Sequence, residues 1–149
     1  MLERVIEGVR QAKLVDEVVV AAPHPIECSC PVFIGSETDV VNRYYKCSEA
    51  HNADVVVRIT SDCPMISPEV IDMAISYFHA HDYPYVYFAP IDGLDVEVFY
   101  SWFLEEANRK ALPDEREHVT TYMKRKTKIS VDTEHDLEKI RSLWTGQIK

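Results

Sequence analysis

The run Asp54-Val-Val-Val-Arg-Ile-Thr-Ser-Asp-Cys-Pro-Met-Ile-Ser-Pro-Glu69 limits the fold more than any other part of the chain. Val55, Val56, Val57 and Ile59 are β-branched, and such a run suits a short strand buried on both faces of a parallel sheet. Pro64 and Pro68 end that strand and open a helix, with Ser67 as N-cap and Pro68 at the first helical position. Asp62 lies just beyond the strand. Open α/β sheets bind ligands outside the carboxyl ends of their strands, so Asp62 is placed for a ligand or a metal.

The same alternation of helix and strand extends along the chain. Leu2, Val5, Ile6 and Val9 recur at helical spacing, which predicts a helix over residues 2–13. Glu17–Ala22 reads as a buried strand ended by Pro23 and Pro25, and Val32–Ile34 as a second. Ser36-Glu-Thr-Asp39 resembles a capping box and predicts a helix to about His51. Tyr85–Ala89 is a further strand. Leu94–Phe99 alternates, with Asp95 and Glu97 on one face and aliphatic residues on the other. Ser101 caps a helix to about Leu112; Asp114 and Glu117 start another that carries His118, Tyr122 and Met123. Lys128–Val131 is a final strand, and Thr133 caps a last helix. With no repeat or linker, the 149 residues predict one domain over 1–149, three-layered α/β/α with a mostly parallel sheet.

Composition narrows the function. No apolar run approaches the ~20 residues that span a bilayer, and the amphipathic, charged N-terminus is no signal peptide, so a cytoplasmic protein without membrane association is expected. A net charge of −9 argues against binding a nucleic-acid backbone. Reduced thiols are expected at Cys28, Cys30, Cys47 and Cys63. His24, Cys28 and Cys30 are three metal-ligand types close together, but zinc sites need a fourth ligand, and a loop with two free thiols is the simpler reading. Gly8, Gly35, Gly93 and Gly146 are isolated, so the sequence has no Gly-rich phosphate loop.

A resemblance enters through several blocks in order. Gly35-Ser-Glu-Thr-Asp-Val-Val-Asn-Arg-Tyr-Tyr45, the Ala53–Asp72 segment, Gly93-Leu-Asp-Val-Glu-Val-Phe99, Arg116-Glu-His-Val-Thr120 and Val131-Asp-Thr-Glu-His-Asp-Leu137 resemble the SpsF-type spore coat polysaccharide cytidylyltransferases. That family is related to the acylneuraminate and 3-deoxy-manno-octulosonate cytidylyltransferases. The resemblance implies a nucleotide-diphospho-sugar transferase fold and a reaction of CTP with a sugar acid or amino sugar, giving a CMP-sugar and pyrophosphate. It implies Mg²⁺ held by Asp62 and Asp132, which are also its catalytic candidates. It places Arg58 at the nucleotide or beside Asp62, Asp95 and Glu97 on sugar hydroxyls or an amine, and Arg116 with His118 on an acidic group of the acceptor.

The chain departs from the family pattern. It opens on the helix that follows the family's first strand and triphosphate-binding segment, which makes it N-terminally truncated relative to that pattern. Ser61 stands where Gly is usual, and Thr121 and Glu134 where Pro is usual. The family's first strand lies between those matching Glu17–Ala22 and Asp54–Ile59, so either these two pair directly or another segment or a second chain fills the gap, and the favoured expectation is a rearranged sheet stabilised by a homodimer. Two functional classes follow: a sugar cytidylyltransferase, or a noncatalytic descendant serving as a binding or assembly module. A metal-dependent phosphohydrolase, resting on Asp62 and Asp132 alone, is a third.

Overall fold

The computed structural model describes residues 1–89 and 94–127. The element order is α1 (Leu2–Arg10), β1 (Val20–Ala22), β2 (Val32–Ile34), α2 (Val40–Ala50), β3 (Val55–Arg58), α3 (Pro68–His81), β4 (Tyr85–Phe88), β5 (Val96–Tyr100), α4 (Ser101–Lys110) and α5 (Thr121–Thr127), with a 3-10 turn at Pro113–Glu115. The final strand and helix predicted from Lys128 onward lie outside the described residues.

Local chemistry explains most boundaries. Ser67 caps α3 by accepting from the Val70 amide at 3.3 Å, and Pro68 opens the helix where its missing N–H costs nothing. Asp39, rather than Ser36, caps α2, accepting from the Asn42 amide at 2.9 Å; Ser36 supports it by accepting from the Asp39 amide. Ser101 is the first residue of α4, and its hydroxyl donates to the Ala53 carbonyl instead of capping.

The strands form two ladders. β1 and β2 are parallel, with Val20 opposite Val32 and Ala22 opposite Ile34. β5 lies between β3 and β4 and is antiparallel to both, pairing Arg58 with Glu97 and Tyr87 with Glu97 from its two sides. β3 and β4 therefore share one direction, as parallel-type strands joined through α3. β5 reverses because only a few residues join it to β4, too few for the crossover that a parallel partner requires. The expectation that β1 and β3 pair directly is corrected: among the described residues β1 pairs with β2 alone and β3 with β5 alone.

Two apolar layers enclose this sheet. Val5 of α1 and Ile71, Ala74, Ile75 and Phe78 of α3 pack on one face against Val86, Phe88, Val96 and Val98. On the other face Val41 of α2, Phe103 and Leu104 of α4 and Tyr122 and Met123 of α5 pack against Tyr85 and Phe99. Phe78, Ile71 and Leu104 are fully buried, each worth about 1.5–3 kcal/mol of transfer free energy. The three-layer α/β/α arrangement read from the sequence is the one observed. It matters for function because it brings the carboxyl ends of β3 and β4 together at one edge of the sheet.

Candidate active site

Arg58 ends β3, and its side chain turns to the face shared with Tyr85, Tyr87 and Glu97. Glu97 is 2 % exposed, an unusual position for a carboxylate. Its Oε2 accepts from Arg58 Nη1 at 2.5 Å. Its Oε1 accepts from the Tyr85 hydroxyl at 2.8 Å and the Thr120 hydroxyl at 2.7 Å, and lies 3.0 Å from Lys124 Nζ. Burial acts to raise the Glu97 carboxyl, but Arg58, Thr120, Lys124 and Tyr85 together outweigh it and hold the group below the usual carboxylate range. Burial, with the charge of Glu97 beside it, pushes the Tyr85 hydroxyl far up, so it remains a donor.

The cations of this cluster are also held from their other sides. The Arg58 guanidinium lies over the Tyr44 ring at 5.8 Å, and its buried Nε has no hydrogen-bond partner among the described residues. Lys124 Nζ is 4.4 Å from the Tyr87 ring centroid and about half exposed. Tyr87 donates in turn to Asp95 Oδ1 at 3.1 Å. Arg58, Tyr87, Asp95, Glu97 and Lys124 thus converge at the carboxyl edge of β3 and β4.

Asp62 is exposed in the turn after β3. Its carboxyl is held low, first by the Thr60 hydroxyl and then by its own backbone amide, with Arg58 contributing. An ionised, exposed carboxylate is the type of ligand that a hard cation takes, one or two at a time, while keeping most of its water. Among the described residues no group of three or more His, Cys, Asp or Glu is placed to hold a metal ion. Asp132, the second expected ligand, lies outside the described residues.

Of the remaining sequence candidates, Arg116 is engaged within the fold and His118 is exposed. Arg116 donates from Nε to Asp39 Oδ2 at 2.8 Å and from its terminal nitrogens to the Asn108 carbonyl and side-chain oxygen, both at 2.9 Å. Its carbonyl accepts from the Val40 and Val41 amides. Arg116 therefore staples the start of α2 to α4. His118 is exposed in a turn, not on the predicted helix, because the chain forms a 3-10 turn at Pro113–Glu115 and resumes as α5 only at Thr121. Glu115, not Glu117, takes the capping role by accepting from the Leu112 amide at 2.9 Å and pairing with Arg125.

Tyr44, Tyr85, Tyr87, Thr120 and Lys124 were not singled out in the sequence. The signal present for two of them is the alternation of Tyr85 and Tyr87 on β4, matching that of Asp95 and Glu97. Period-2 residues on neighbouring strands share a face.

The sequence profile of the family described as Cytidylyltransferase matches residues 1–142, and the chain belongs to that family. It is 37% identical over 135 residues to an uncharacterized protein of Methanocaldococcus jannaschii, covering 83% of this chain and 56% of that protein. It is 31% identical over 144 residues to the spore coat polysaccharide biosynthesis protein SpsF of Bacillus subtilis, covering 81% and 60%. The chain thus spans less than two thirds of the length of these curated relatives.

Solved structures agree on the fold. A cytidylyltransferase from Leptospira borgpetersenii superposes with a TM-score of 0.76 at 25% identity, over 89% of this chain and 65% of that one. A CMP:2-keto-3-deoxy-manno-octonic acid synthetase complexed with CTP superposes at 0.64 and 14% identity, over 99% and 88%. The architecture is the nucleotide-diphospho-sugar transferase type. Among the described residues no helix is long and apolar enough to cross a membrane.

Proposed function

We propose that this chain acts in the transfer of CMP from CTP to a sugar acid or amino sugar, with release of pyrophosphate, in surface polysaccharide biosynthesis. The observation that carries the reading is the charged cluster at the carboxyl edge of β3 and β4, where Asp95 and Glu97 meet Arg58 and Lys124, with Asp62 following in the turn after β3. Three carboxylates against two cations do not attract a triphosphate, so the site calls for a divalent cation. Asp62, with Asp132, would hold Mg²⁺, which neutralises phosphate charge when bound. Such phosphoryl chemistry needs positioning and charge compensation rather than a covalent intermediate.

Within that reading the roles separate by burial. Glu97 does not touch substrate; it positions Arg58 and Lys124 by binding both. Arg58 and the half-exposed Lys124 meet phosphate or an acceptor carboxylate. Asp95, oriented by Tyr87, holds an acceptor hydroxyl or amine. His118 is exposed on the loop leading to Thr120 and can meet the acceptor only from that side. Arg116 acts through α2 and α4, as a brace.

The proposal extends to a homodimer, in which exposed apolar side chains such as Met65 and Trp102 would be covered. Light scattering at low concentration tests it, and a monomer would remove the proposal. The activity is tested by CTP- and Mg²⁺-dependent pyrophosphate release over a panel of sugar acids and amino sugars. Release with one acceptor class supports the transferase. CTP binding without release by any acceptor would assign the chain to a noncatalytic binding module, and no CTP binding would defeat the nucleotide reading.

A further inference from the structure

Cys28 and Cys30 lie in the segment that leads from β1 to its parallel partner β2. No helix fills this connection, and the backbone bends at Ser29 and Cys30 to enter the strand. The bend brings the two sulfurs to 3.9 Å, and the Cys28 thiol also lies 3.4 Å from the Cys30 carbonyl.

α1 holds the residue between them. Ser29 donates from its amide to Glu3 Oε1 at 2.8 Å and from its hydroxyl to Glu3 Oε2 at 2.7 Å. Arg10 donates to the Ser29 hydroxyl at 3.2 Å and to its carbonyl. Two side chains of one helix thus fix a single residue at the bend, and the sulfur separation follows from that clamp. The cysteines differ in access: Cys28 is partly exposed, whereas Cys30 is buried.

We propose that Cys28 and Cys30 form a reversible redox pair, exchanging between dithiol and disulfide with small-molecule disulfides of the glutathione class. The Cys28 thiolate attacks one sulfur of the oxidised reagent, forming a mixed disulfide and expelling one reduced thiol. Cys30 loses its proton to solvent and attacks the Cys28 sulfur. That step closes the Cys28–Cys30 bond and expels the second reduced thiol. Two protein thiols are oxidised by two electrons and one reagent disulfide is reduced to two thiols, so the exchange balances.

The ring so closed is small. A cross-link between residues two apart removes only about 1–2 kcal/mol of loop-closure entropy from the unfolded chain, about half that of a 15-residue loop, so this bond is a weak staple. Its use is as a labile, reagent-poised site. Burial pushes up the Cys30 thiol as it does that of half-buried Cys47, and Cys63 is buried beside Thr60, so what distinguishes Cys28 and Cys30 is the approach of their two sulfurs and the access of Cys28.

The test equilibrates the folded chain with graded ratios of reduced and oxidised glutathione, then alkylates and maps the cysteines by mass spectrometry. The expected product has lost two hydrogens within the peptide carrying Cys28 and Cys30, with Cys47 and Cys63 still alkylated. The Cys30→Ser variant should stop at a stable glutathione adduct on Cys28. The equilibrium constant for ring closure should be roughly tenfold greater in the folded chain than in urea, because the bend is already made. Equal closure in urea, a persistent mixed disulfide in the parent chain, or equal oxidation of all four cysteines would each overturn the proposal.

Discussion

Arg58 Nη1 stands 2.5 Å from Glu97 Oε2, tying the last residue of β3 to the second residue of β5 as directly opposed cross-strand partners. The glutamate side chain is 3% exposed and the arginine 23%, so the pair is largely withdrawn from water. Taking two charges out of water is costly, and attraction offsets the cost only where further hydrogen bonds complete the site. Tyr85, Thr120 and Lys124 provide that completion.

Removing the carboxylate should therefore harm the fold before it harms any reaction. Glu97→Ala leaves Arg58 without its counter-charge and Tyr85 and Thr120 without an acceptor, and about 3–5 kcal/mol of stability should be lost. Lys124→Ala, which removes the half-exposed partner, should cost under about 1 kcal/mol. Urea denaturation of the two variants checks the contrast. Equal, small losses would mean that Glu97 is hydrated and that its burial is not what orders the cluster.

Acid should reveal the same group. Because the Glu97 carboxyl is held below its ordinary range in the folded chain, the unfolded chain binds the proton more readily. The stabilisation is fully present above the unfolded value of about 4.3 and is lost as pH falls through the lower folded value. Stability should rise with pH across that window, and Glu97→Gln should flatten part of the rise. Glu115, held low chiefly by Arg125, supplies a second part, so the slope should shrink in Glu97→Gln without vanishing. An unchanged acid slope in the variant would show that Glu97 does not titrate as argued.

Asp62 should behave in the opposite manner. It is exposed and bonded only locally, so Asp62→Asn should leave stability within about 0.5 kcal/mol of the parent. Under the proposed function the same change should lower CTP-dependent turnover by about a hundred- to a thousand-fold, a magnitude typical for losing one preorganised charge-stabilising group. Raising Mg²⁺ should recover part of the loss. Turnover insensitive to the substitution would remove Asp62 from the metal site.

How far the sequence disclosed this depends on the range of the interactions involved. The α3 start at Ser67-Pro68 was legible because its cap partners are three residues apart and carry their own chemistry. The three layers were legible because β-branched runs and helical spacing repeat locally. Glu97 was legible only as a polar member of an alternating strand. Its burial arises from β3, β4 and α5 closing over it, contacts up to 39 residues away in sequence. The β5 reversal follows from the short connection after Phe88, which is too short for the crossover that a parallel strand needs. His118 was misplaced because Asp114 and Glu117 imitate a helix start, while Glu115 reaches the Leu112 amide first and winds a 3-10 turn instead.

Arg116 provides the sharpest separation between a residue that binds substrate and one that braces the fold. Asp39 caps α2 through Oδ1 and accepts Arg116 through Oδ2, so one carboxylate serves the helix start and the ion pair together. Asp39→Ala should cost about 1–2 kcal/mol, most of it the lost cap. Arg116→Ala should cost a similar amount, because Asn108 loses two donors and α4 loses its tie to α2. The two changes share a contact and should not add: a double-mutant cycle should return a coupling of about 0.5–1 kcal/mol, appropriate to a partly exposed pair. In kinetic assays Arg116→Ala should leave the acceptor KM unchanged at temperatures where the variant is folded. A raised acceptor KM with unchanged stability and no coupling to Asp39 would instead return Arg116 to the acceptor site.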